Sequence, residues 1–79
     1  MNYKKIAAKW RSKQSETRAN TGVVLIWQGE VYGWKNELRD PGDEKPGAIA
    51  VDLAGTAWKA EGGNNHDGAE CWEPLTQAI

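Results

Sequence analysis

"TGVVLIWQGEVYGWKNEL", residues 21–38, decides the fold. Val23 to Trp27 is a β-branched, aliphatic and aromatic run, and Val31 to Trp34 answers it after a short turn containing Gly29. A two-residue loop at Gln28–Gly29 sets Trp27 opposite Glu30, Ile26 opposite Val31, Leu25 opposite Tyr32 and Val23 opposite Trp34. Val23, Leu25, Trp27, Tyr32 and Trp34 then share one face, and Val24, Ile26 and Val31 the other. Both faces are apolar, so the hairpin must be covered twice: once by a helix, and once by a loop, a second sheet layer or a partner. A second copy of the chain is one such cover, which leaves a homodimer open.

The helix is supplied upstream. From residue 2 to about 12 there is no Gly or Pro, and Tyr3, Ile6, Ala7 and Trp10 recur at the i, i+3, i+4, i+7 spacing of one helical stripe. Lys4, Lys5, Lys9, Arg11 and Lys13 take most of the remaining circumference. Beyond Trp10 the stripe fades. Residues 11–21 read equally as helix continued to Ala19, stopped by Asn20–Gly22, or as a polar loop.

Downstream, "RDPGDEKPGA" (39–48) is a Pro- and Gly-bearing charged surface loop. "AIAVDLAGTAWKAE" (48–61) is a second hairpin turning at Ala54–Gly55. That turn places Val51 opposite Trp58, Ile49 opposite Ala60 and Leu53 opposite Thr56 on a buried side, with Ala50, Asp52, Ala57 and Lys59 on a wet side. "AECWEPL" (69–75) is a short last strand at a sheet edge, because Pro74 cannot donate to a ladder. The order predicts an α+β fold: an N-terminal helix packed on a four- to five-stranded antiparallel meander sheet. One domain spans 1–79, with a basic helix and polar connection over 1–20 and the sheet over 21–75.

Size and composition narrow the function. Seventy-nine residues lie near the lower limit for an unaided core, and ordering them costs on the order of 100 kcal/mol of conformational entropy. With no Phe and one Met, the five Trp are the large apolar groups, so most are expected in the core. One Cys excludes an internal disulfide, which suits a reducing compartment, and no apolar run reaches signal-peptide or membrane-span length. A cytoplasmic location is expected.

Charge is divided unevenly. Residues 1–39 carry eight Lys/Arg against three acids, and residues 40–79 two against eight, giving +5 and −6 within a net −1. Such a split points to a charged partner or to a basic helix lying beside acidic loops.

"AEGGNNHDGAECW" (60–72) gathers the only His and the only Cys with three carboxylates. A metal site wants three or four compatible ligands, and His66 with Cys71 supplies two; no metal or cofactor is expected. A Cys71 nucleophile needs a base and a lowered pKa, whereas Glu70 and Glu73 beside it raise the thiol. Gly62, Gly63, Asn64, Asn65, Asp67 and Gly68 instead read as a wide turn. A Cys71/His66 enzyme is the weakest of the functional readings.

Two binding surfaces remain. Lys4, Lys5, Lys9, Arg11 and Lys13 on the helix suit phosphate, yet the chain carries no RNP, zinc-finger or GXXG signature. The acids Asp40, Asp43, Glu44, Glu61, Asp67, Glu70 and Glu73 come from two loops and the last strand. Brought together, they suit a protein partner with a basic surface, and an exposed Trp beside them would act as an anchor. The preferred reading is therefore a non-enzymatic protein-binding module, with a nucleic-acid-binding module as its rival. A short single domain, rich in Trp, with a hairpin-only sheet and no catalytic set, the chain resembles small phage and plasmid accessory proteins of the anti-CRISPR type, although "WQGEVYGW" and "AWKAEGGNNHDGAECW" carry no motif of that class. That resemblance implies an inhibitor that occupies a nucleic-acid-binding surface of a host defence complex. It transfers no individual residue role.

Overall fold

In a computed structural model, residues 2–75 are described. α1 spans Tyr3–Arg11, α2 Glu16–Asn20, β1 Val23–Trp27, β2 Glu30–Lys35, β3 Ile49–Val51, β4 Ala57–Glu61 and β5 Cys71–Pro74, with a 3-10 turn at Pro41–Asp43. Asn2 caps α1, its Oδ1 accepting the Lys5 N–H at 3.0 Å. The helix stops where the apolar stripe ends. After a turn the chain forms a second, five-residue helix with no buried residue.

The five strands form one antiparallel sheet in the order β2-β1-β3-β4-β5, with α1 on it, as the α+β reading expected. At one point the order is not that of a sequential meander: β3 pairs with β1, not with β2. The segment 36–48 must therefore cross β1 to start β3. Its Leu38, with Trp72, packs on Val23, Leu25 and Ala50. That crossing supplies the second cover the hairpin demanded, from the chain's own loop. On the opposite face, Tyr3, Ile6, Ala7 and Trp10 of α1 join Val24, Ile26, Ile49, Val51 and Ala57. No helix among the described residues is long and apolar enough to cross a membrane.

Both hairpins differ from the expected registers, each for a local reason. Gln28 and Gly29 both have positive φ, 50° and 84°, as a two-residue type I′ turn requires, and Trp27–Glu30 and Ile26–Val31 pair as expected. A β-bulge then intervenes, so Leu25 pairs with Gly33, Val24 with Trp34 and Val23 with Lys35. Trp34 is thereby moved to the helix face, where it packs on the main cluster. Its indole N–H donates to the Thr21 carbonyl at 2.9 Å, and Arg18 of α2 lies 5.7 Å from its ring. In the second hairpin the connection is three residues, Leu53 to Gly55, closed by Asp52 N–H to Thr56 C=O at 2.9 Å, with Gly55 at φ 91°. Ala50 therefore pairs with Trp58 and Val51 with Ala57. The one-residue slip exchanges faces: Ala57 enters the core, and Leu53, expected inside, is 57% exposed.

None of the five tryptophans is fully buried. The closed core is aliphatic, led by Ile26, Val24 and Val51, and Trp10, Trp27, Trp34 and Trp72 line its margins. Large rings at the border of a thin sheet bury one side each and still exclude water from the strands.

Candidate functional site

The seven acids singled out from the sequence come from β4, β5, the β4–β5 connection and the crossing segment, and they lie on both faces of the sheet. β4 and β5 pair Glu61 with Cys71 and Lys59 with Glu73, which places the Glu61 and Glu73 side chains on the helix side. Asp40 and Asp43 belong to the crossing segment on the other side, at its 3-10 turn. Asp67 and Glu70 lie in the β4–β5 connection between them.

Backbone bonds fix this arrangement. The Ala69 N–H donates to the Glu44 carbonyl at 2.9 Å, and the Glu70 N–H to the Glu61 carbonyl at 2.9 Å. The Trp72 indole N–H donates to the Arg39 carbonyl at 3.2 Å. Gly68 lies against Gly42 so closely that an added Cβ would sit 2.6 Å from the Gly42 carbonyl carbon. Within the connection, Asn64 Oδ1 accepts the N–H groups of His66 and Asp67 at 2.8 and 2.7 Å, and Glu70 Oε1 accepts that of Gly63 at 2.9 Å. The loops are tied to each other and to the sheet.

Glu44 stands apart from the other six. It is buried, pairs with Lys35 Nζ at 2.8 Å and accepts the Tyr32 hydroxyl. Its carboxylate holds the crossing segment to β2 and offers little to a partner. The remaining acids face solvent or pair across the surface: Asp43, itself exposed, lies 3.4 Å from the largely buried Lys35, Asp40 3.7 Å from Arg39 and Glu61 3.6 Å from Lys59. Such pairs are weak and exchangeable.

Burial, then the hydrogen bond and charge of Glu44, raises the Tyr32 phenol well above its ordinary value. Burial alone would lower the Lys35 ammonium, but the hydrogen bonds and charges of Glu44 and Asp43 outweigh it and raise it. Both groups bind their protons more tightly folded than unfolded. Their contribution is complete below the unfolded values, about pH 10, and is lost as pH rises through the folded ones. Urea midpoints should therefore fall steeply above pH 10, and less steeply in Tyr32→Phe.

Arg11, assigned to the basic face from sequence, is turned inward. Its guanidinium donates to the carbonyls of Arg18, Thr21 and Gly22 at 2.9, 2.7 and 2.7 Å, and it is 7% exposed. It braces α1 against α2 and the start of β1. Lys4, Lys5, Lys9 and Lys13 remain exposed. The sequence did carry a signal: Arg11 lies four residues beyond Ala7 and so continues the buried stripe.

His66 and Cys71 are both exposed and are engaged separately. The His66 N–H belongs to the Asn64 turn, and the Cys71 thiol points to the Glu61 carbonyl and the Glu73 carboxylate, at 3.9 and 3.6 Å. Desolvation, then Glu73, Glu70 and Glu61, holds that thiol above its usual range and away from the reactive thiolate. Among the described residues no group of three or more His, Cys, Asp and Glu side chains is placed to hold a metal ion.

No family model, curated protein or solved structure matches the chain.

Proposed function

We propose that this chain is a non-catalytic protein-binding module whose acidic rim docks onto a basic surface of a partner. The observation that carries the reading is the Ala69–Glu44 backbone bond. It ties the crossing segment, with exposed Asp40 and Asp43, to the β4–β5 connection, with exposed Asp67 and Glu70, while Glu61 and Glu73 stand on the helix side of the adjoining strands. Preformed charge of one sign steers encounter and costs little ordering on binding. The basic surfaces that such a rim fits include those that grip phosphate backbones. Following the resemblance in size and style, the partner class is a nucleic-acid-binding host defence complex, and the chain an inhibitor carried by a mobile element.

The test is capture from a bacterial lysate by the wild type and by a variant carrying Asp40→Lys, Asp43→Lys, Glu61→Lys and Glu73→Lys. None of these four side chains holds a loop backbone group, so the fold should survive. The wild type should retain a nucleic-acid-binding protein, release it at high salt and inhibit its binding to DNA or RNA. The reversed variant should do neither. Retention of the same protein by the reversed variant contradicts the reading. Gel shifts with generic DNA and RNA at physiological salt should show no complex; a complex lost on changing Lys4, Lys5, Lys9 and Lys13 to Gln would favour the nucleic-acid-binding module.

A further inference from the structure

A cleft of about 310 Å³ adjoins the rim, lined by Trp27, Tyr32, Asp43, Glu44, Lys45 and Ala48. Its walls are held from behind. Trp27 packs against Ala48, Ala60 and Ala69, and a Cβ added at Gly47 would stand 3.3 Å from its ring. Tyr32 is anchored by its hydroxyl to Glu44, whose charge is balanced by Lys35 at 2.8 Å. The aromatic surfaces are thus preorganised, while Tyr32 is 49% exposed. The Trp27 ring already carries a cation, Lys45 Nζ at 5.5 Å from its centroid. Among the described residues no carboxylate pairs with that ammonium, so it is free to leave. Asp43, its side chain 67% exposed, sits in the lining as an acceptor and belongs also to the rim.

We infer that this cleft receives an arginine side chain of the docked partner, an inference that rests on the rim being a docking surface. The guanidinium takes the place of Lys45 on Trp27, turns its donors to Asp43 and lays its stem along Tyr32. Arginine suits the cleft better than lysine for two reasons. Its planar, weakly hydrated group stacks on an indole and forks onto a carboxylate. A lysine would only exchange with the lysine already there.

The test is a two-dimensional NMR titration of the full chain with hexa-arginine and with hexalysine, which carry equal charge. Hexa-arginine should shift the Trp27 indole and Tyr32 amide resonances, leave the Trp10 and Trp34 indoles unmoved, and bind about threefold or more tighter than hexalysine. Lys45→Ala, which removes the ammonium competing for the Trp27 ring, should tighten hexa-arginine binding. Shifts confined to rim amides such as those of Asp67 and Glu70, with equal affinity for the two peptides, overturn the cleft assignment and leave the rim intact. Shifts at Trp27 without any at the rim support the cleft and contradict the docking surface. No shift in either place overturns both.

Discussion

Replacing Gly68 by alanine is expected to cost about 3 kcal/mol and to part the two acidic loops. Gly68 has φ 88°, a conformation that costs an L-residue about 1–2 kcal/mol. The new Cβ would also overlap the Gly42 carbonyl, its carbon 2.6 Å away. Backbone rather than a flexible side chain is struck, so relief requires the loops to separate and the Ala69–Glu44 bond to break. Gly42→Ala is the control. Its Cβ would lie 3.8 Å from the Ala69 carbonyl, an ordinary contact, and stability should change by less than about 0.5 kcal/mol. Urea unfolding of the two variants checks the contrast. If the docking surface needs both loops, Gly68→Ala should also weaken partner capture, and Gly42→Ala should not.

Arg11→Ala should be destabilising by about 3–4 kcal/mol, the larger of the two effects. The side chain is buried on a helix that otherwise meets the sheet with apolar groups, and it satisfies three carbonyls, Arg18 in α2 and Thr21 and Gly22 in the α2–β1 connection. Hydrogen bonds from a charged donor contribute about 1.5–3 kcal/mol each at most, and their loss is offset in part as water reaches the freed carbonyls. Because α2 buries no residue of its own, it should fray first, releasing Arg18 from the Trp34 ring. Arg11→Lys should recover only part of the loss, since an ammonium lacks the planar fork that spans three acceptors. Thermal unfolding with Trp fluorescence measures both variants; a cost below about 1 kcal/mol for Arg11→Ala would show that the carbonyls are satisfied without it.

The sequence revealed elements better than registers. The helix start, the five strands and the Gln28–Gly29 turn follow from local chemistry and appear where residue type placed them. The demand that the 23–34 hairpin be covered on both sides was also legible, and it is met by α1 and by the crossing segment. Where the residues misled, one residue of slip was enough. Nothing in "EVYGWK" distinguishes a regular strand from one bulged at Tyr32, since Gly33 is compatible with both, yet the bulge decides which face Trp34 serves. Likewise Ala54–Gly55 and Leu53–Ala54–Gly55 are both workable turns; the longer one buries Ala57 and exposes Leu53. The position of β3 beside β1 depends on long-range pairing that periodicity does not record.

At the site, composition identified the acids, and topology joined the two loops that carry Asp40, Asp43, Asp67 and Glu70. What remained hidden was which charges are structural. Glu44 and Arg11 look like their exposed neighbours in sequence, but each is enclosed by partners distant along the chain. The Trp27–Tyr32 cleft was hidden for the same reason, because its far wall is the crossing segment.

Amide hydrogen exchange at Ala69 probes the joining of the two loops most directly. In a fixed rim its N–H, bonded to the Glu44 carbonyl, should exchange about 100-fold or more slowly than in an unfolded chain, and Gly68→Ala should erase that protection. Exchange of the wild-type Ala69 amide as fast as that of exposed Asn65 would mean that the loops move independently, and the acidic surface would not exist as one body.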